Sequence, residues 1–91
     1  MTVYVDEARL PLGRMLMCHM IADTHEELLR MARRIGVATR WLQHEGTAKE
    51  HLDVCQAKRA AAVRAGAIEV TRRELVALMH GQRLGRPRAN N

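Results

Sequence analysis

Aromatic side chains are nearly missing from this 91-residue chain: there is no Phe, one Tyr (Tyr4) and one Trp (Trp41). Proteins that hold single-stranded nucleic acid stack bases on several rings, and two scattered rings make no such platform. The core must be built from Leu, Ile, Val, Met and Ala. Cysteine is scarce as well. Cys18 and Cys55 are too few for a disulfide framework, and each lies in an apolar pattern that suits a buried thiol. No apolar run reaches the roughly 18 residues of a membrane span, so no membrane partner is expected. The N-terminus lacks the basic start and apolar stretch of a secretory signal, which makes the cytoplasm the expected location. Glycine-rich phosphate loops of the GxGxxG or Walker kind are absent, as are HExxH and paired CxxC metal motifs.

What is present points to one small, basic domain. Fifteen Lys and Arg against ten Asp and Glu give a net charge of +5, which favours polyanionic partners through long-range attraction. Arg supplies most of that charge and suits forked contacts to phosphate or carboxylate. So short a chain buries a modest share of its surface, and self-association is a common remedy. A homo-oligomer is therefore expected.

The pattern along the chain alternates between strand and helix. In "TVYVDE" Val3 and Val5 alternate with Tyr4 and Asp6, as in a strand. Pro11 and Gly13 place residues 7–13 in a loop. "RMLMCHMIA" is apolar on both faces, the mark of a strand covered on both sides. In such a strand Cys18 and His19 point to opposite faces, which excludes a nucleophile–base pair made of these neighbours.

Thr24 and Glu27 have capping-box spacing, and Leu28, Met31, Ala32 and Ile35 give the helix that follows a buried stripe. Gly36 suits its left-handed end. "VATRWLQ" reads as a short strand and "HEGTAKEH" as a loop. "DVCQAKRAAAVRAG" reads as a second helix capped by Asp53. "AIEV" is a short strand, and Thr71 with Glu74 opens a third helix. The expected fold is an α/β domain over residues 1–81, with three main helices and a mixed, mostly parallel sheet of about four strands. Residues 82–91 form a basic tail.

Several stretches, "VYVDE", "GRMLMCHMIADT", the spaced "ELL.MA..IG", "H.D....KR..A...GA" and "RREL", resemble a family of small bacterial and phage proteins, domain of unknown function 4031. The resemblance covers roughly residues 1–80 and rests mainly on the long GRMxMCHMxADT block. Leu52 stands where the family pattern places an aromatic between His51 and Asp53. The resemblance implies a bacterial or phage origin and brings no activity with it.

Candidate site residues follow from position. In open parallel sheets, ligands bind beyond the carboxyl ends of strands, and polar residues gather at those ends here. The leading expectation is a binding module for a phosphate-bearing ligand, a nucleotide or nucleic acid. Arg14, Lys58 and Arg59 would supply charge, and His51 and Asp53 would orient the ligand. The alternative is a hydrolase or nuclease that uses a divalent metal, with Asp6, His19 and Asp23 as ligands beside His51 and Asp53. A third reading is a homo-oligomeric interaction protein without catalysis. Each residue also has an ordinary structural role: Thr24 and Asp53 as helix caps, Asp6 as a partner for Arg14, His19 as a hydrogen-bonded core histidine.

Overall fold

The longest strand is the hub of the sheet. In the computed structural model, which describes residues 2–81, eight residues from Met15 to Ala22 pair with three other strands. The basic tail expected over residues 82–91 lies outside the described residues. In chain order the elements are β1 (Val3–Val5), β2 (Leu10–Leu12), β3 (Met15–Ala22), α1 (His25–Ile35), a 3₁₀ turn (Thr39–Trp41), β4 (Leu52–Cys55), α2 (Gln56–Arg64), β5 (Ile68–Glu69) and α3 (Arg72–Met79).

The α/β class holds, and three helices flank a mixed sheet. The sheet has five strands rather than about four, and it is mostly antiparallel. β3 runs antiparallel to β1, β2 and β4, and only β1 with β5 is parallel. Two local features explain the correction. First, residues 10–12 pair with β3 instead of forming a loop, which a proline tolerates on an edge strand. Gly13 takes a positive φ of 60° at the first central position of the tight turn from β2 into β3, the kind of position that makes a two-residue hairpin turn. Second, residues 37–43 hold the 3₁₀ turn Thr39–Trp41 in place of a strand, and only Gln43 bridges to His51. The pairing strand lies later, at β4, where the sequence reads as the start of a helix.

β1 and β2 share one side of β3. Tyr4 faces Ile21 and Val5 faces Met20, while Leu10 faces Met17. Residues 6–9 therefore span the gap opposite only Cys18 and His19. This is a bulge, and it drives Asp6 inward. Arg9 within it adopts a left-handed φ of 52°.

Alternation along β3 divides the core into two layers. Cys18 and Met20 face α1 and α2, together with Val3, Val5, Leu52 and Val54. Ile21 faces the other side, with Val70 and the α3 residues Leu75 and Leu78. Cys18 thus lies in the first layer, where its thiol approaches the Gln56 side chain at 3.8 Å. His19 projects on the opposite face, as alternation requires.

The helix ends follow their sequence signals in part. Thr24 caps α1 by accepting from Glu27 N–H. Its hydroxyl meets the Glu27 carboxylate at 3.4 Å, so the glutamate turns to the hydroxyl rather than to the Thr24 backbone. Gly36 ends α1 at φ 81°. Thr71 and Glu74 make the full reciprocal box at α3. Asp53 caps nothing. β4 runs on to Cys55, and α2 begins at Gln56 with no side-chain cap.

Candidate functional site

The site begins with the bulge. Asp6 is the one charged residue with no solvent exposure among the described residues. A carboxylate withdrawn from water needs partners for its lone pairs, and Asp6 has three. Oδ1 accepts from the backbone N–H of His19 at 2.8 Å and of Ala8 at 3.2 Å. Oδ2 takes His19 Nδ1 at 2.7 Å. Asp6 is also tied through its backbone: its N–H donates to His19 O, and its carbonyl accepts from Arg59 Nε at 2.6 Å.

The consequence falls on His19. A carboxylate only accepts, so Nδ1 carries the proton and the lone pair of the neutral ring sits on Nε2. His51 is set in the same way. Its Nδ1 lies 2.7 Å from the Lys49 carbonyl oxygen, another pure acceptor, so its Nε2 also presents a lone pair. Asp53 completes the group. Its Oδ2 accepts from Gln43 Nε2 at 2.9 Å. Its Oδ1 is shielded from solvent and has no hydrogen-bond partner.

Register brings these groups together. His19 and Asp53 are direct partners across β3 and β4, and His51 lies two residues before Asp53, on the same face. Asp53 Oδ1 stands 3.6 Å from His51 Nε2 and 4.0 Å from His19 Nε2. All three atoms lie within 4.8 Å of one another. The separations are too long for hydrogen bonds. They are close to the roughly 3.4 Å spacing of ligands around a metal held at about 2.0–2.2 Å. Two imidazoles and one carboxylate are a donor set for divalent transition metals that leaves coordination positions open. The hydrogen bond from His19 to Asp6 has the form of the carboxylate–histidine pair that orients metal-binding imidazoles.

A cavity of about 320 Å³ opens over this group. It is lined by His19 and His51, by His44 and Lys49 before β4, by Arg72, Leu75, Val76 and Met79 of α3, and by His80 at the end of that helix. The His44 ring stacks on His51 with centroids 5.9 Å apart. Its backbone is held at a left-handed φ of 54°, a conformation that costs a non-glycine residue roughly 1–2 kcal/mol. Behind the same loop, His25 Nδ1 meets Glu50 Oε1 at 2.7 Å, and that oxygen also accepts from Gly46 N–H. The Glu50 hydrogen bond raises the His25 pKa above its ordinary 6.5. Partial burial works against it, and the charges of Glu50, Glu45 and Glu26 add to the rise.

Of the residues singled out in the sequence, the structure gathers His19, His51 and Asp53, with Asp6 directly behind His19. The others lie elsewhere. Asp23 accepts from Thr2 N–H and from the Tyr4 hydroxyl, which ties down the start of β1. Arg14 is exposed in the turn between β2 and β3. Lys58 places Nζ against the end of α1, 3.1 Å from where a Cβ on Gly36 would stand. Arg59 joins the Asp6 carbonyl to Glu69 across 3.0 Å. Asp6 meets His19 and not Arg14. Gln43 and His44 fall in the stretch from Trp41 to His44 that the sequence places at a strand end; sequence reasoning missed Lys49, Arg72 and His80. Only the period-two spacing of His51 and Asp53 could have pointed to a shared strand face there.

Searches of curated proteins and of solved structures find no match to this chain. A family described as "Protein of unknown function (DUF4031)" matches residues 3–82, nearly the whole chain, and the protein belongs to that family.

Proposed function

We propose that the protein is a hydrolase dependent on a divalent metal, with His19, His51 and Asp53 as the metal ligands. The observation behind this reading is the convergence of two lone-pair-bearing Nε2 atoms and one unpartnered carboxylate oxygen within 4.8 Å. Without a cation, that oxygen is shielded from water and accepts no hydrogen bond, which is costly for a carboxylate oxygen. A divalent ion compensates it and leaves open positions for water. Bound water is acidified enough to act as a nucleophile near neutral pH. Asp6 holds His19 in the metal-binding tautomer, and Gln43 fixes the carboxylate of Asp53. The earlier grouping of Arg14, Lys58 and Arg59 as an anion site is not part of this reading, because the three lie in separate places.

The test is a calorimetric titration with Zn2+ and Co2+, followed by turnover of 4-nitrophenyl acetate. One equivalent should bind, Co2+ should give the intense visible bands of a low-coordinate site, and hydrolysis should need the metal. His51→Ala and Asp53→Ala should each abolish both behaviours. Wild-type protein that binds neither ion more tightly than these two variants would refute the reading.

A second reading, self-association, is favoured by one observation. Leu10, Leu12 and Met15 are exposed together on one face of the β2–β3 hairpin. A clustered apolar surface of this kind is a common mark of an interface. Light scattering during gel filtration should report a mass above 10.3 kDa, and Leu12→Lys should return it to the monomer value.

A further inference from the structure

We infer that the cavity takes a small phosphate monoester whose alcohol part is apolar, with the phosphate at the metal and the alcohol along α3. This rests on the metal-dependent reading above and names its substrate. Charge around the cavity supplies the first reason. Lys49 and Arg72 both line it, and neither has an ion pair or side-chain hydrogen bond among the described residues. Arg59, by contrast, is neutralised by Glu69. Asp53 and the buried Asp6 behind His19 together balance a divalent ion, so the positive charge of Lys49 and Arg72 is left over for a ligand. A metal, a lysine and an arginine around one opening suit a dianion. A neutral ester or amide would leave both side-chain cations without a role. Arg72 can engage two phosphate oxygens with its fork, and Lys49 can act as a point charge.

The second reason is the wall. Leu75, Val76 and Met79 face the same cavity, and Val76 keeps 42% of its surface exposed. That strip faces the metal cluster and suits an apolar or aromatic group of a few carbons. The volume of about 320 Å³ is at the small end of ligand pockets, which favours a small molecule over a polymer. In the reaction, a metal-bound water attacks phosphorus and forms a new P–O bond. The ester P–O bond breaks, and its electron pair leaves with the alkoxide. The proton lost by the water balances the one the alkoxide gains. Water is the only co-reactant, and the products are the free alcohol and inorganic phosphate.

The test uses the full chain loaded with Zn2+ and two uncleaved probes, phenylphosphonate and inorganic phosphate, followed by calorimetry. Phenylphosphonate should bind about tenfold more tightly than phosphate, the worth of its ring against α3. Arg72→Glu and Lys49→Glu should each weaken it about tenfold or more, with no loss of Zn2+ affinity. Val76→Asn, which removes the apolar contact and adds no charge, should erase the preference for phenylphosphonate and leave phosphate binding alone. All three positions are exposed, so the variants should fold. A chain that binds Zn2+ fully but holds both probes equally, or ignores the charge reversals, overturns the substrate inference alone. A chain that binds no Zn2+ overturns the metal reading and this one with it.

Discussion

Replacing Asp6 with Asn changes almost no volume, yet it should disable a metal ligand that Asp6 itself does not provide. The Asp6 carboxylate accepts three N–H groups: two backbone donors at Oδ1 and the imidazole Nδ1 at Oδ2. An amide has one acceptor oxygen and one donor nitrogen. If the oxygen stays with the two backbone groups, the amide NH2 faces Nδ1. The ring must then move its proton to Nε2 and lose the lone pair aimed at Asp53. If the amide flips, NH2 confronts two backbone donors in a site with no water access. Loss of a partner that orients a metal-binding imidazole typically costs 10–100-fold in affinity, or about 1.4–2.7 kcal/mol. A mispaired buried donor adds about 1–3 kcal/mol of instability, which is about 4–24 °C in a domain of this size. Calorimetry would measure the Zn2+ affinity of Asp6→Asn, and long-range 15N–1H correlation spectra would identify the His19 tautomer. Unchanged affinity with the proton still on Nδ1 would refute the role given to Asp6.

Other expectations are simpler. Thr71→Ala removes one half of the reciprocal box at α3 and should cost about 1 kcal/mol. Loosening of the cavity wall should show as faster amide exchange in α3. Gly36→Ala should cost about 1–2 kcal/mol in denaturant titration, because φ is 81° there; Lys58 can swing aside, so the penalty is backbone strain alone. The contact between His25 and Glu50 should depend on pH. Because the folded-state pKa is raised above 6.5, its stabilisation is complete below that value and fades as pH rises through the raised one. The difference in melting temperature between wild type and His25→Gln should therefore shrink with rising pH, and a difference that grows would contradict this assignment.

Much of the helical framework was legible in the sequence. The stripe from Leu28 to Ile35 and the caps at Thr24 and Thr71 are local signals, and local physics decides helix ends. The two faces of β3 were legible for the same reason, since alternation needs no knowledge of partners. Strand direction was not. Pro11 argued for a loop because its missing N–H is harmless only on an edge, and nothing in "LPLGRM" states that an edge is there. Asp53 reads equally well as a helix cap or as a strand residue, and pairing with His19 decides between them. The same long-range pairing hid the full His19, His51 and Asp53 group: its members come from β3, β4 and the end of the loop before β4. Lys49 and Arg72 lie on elements that meet only in the folded chain.

The direct pairing of His19 with Asp53 limits how such a centre can change. Two of its three donors are fixed to facing strands, and strand positions move in increments of about 3.3 Å. Sliding β4 by one residue would bring Val54 to the cluster and send the carboxylate toward Cys18 and Met20. Sliding it by two would offer Cys55 or His51 in its place. In the proposed centre, ion preference would be tuned by exchanging side chains or by adjusting Gln43 and Asp6 behind them, and not by gradual drift of the backbone.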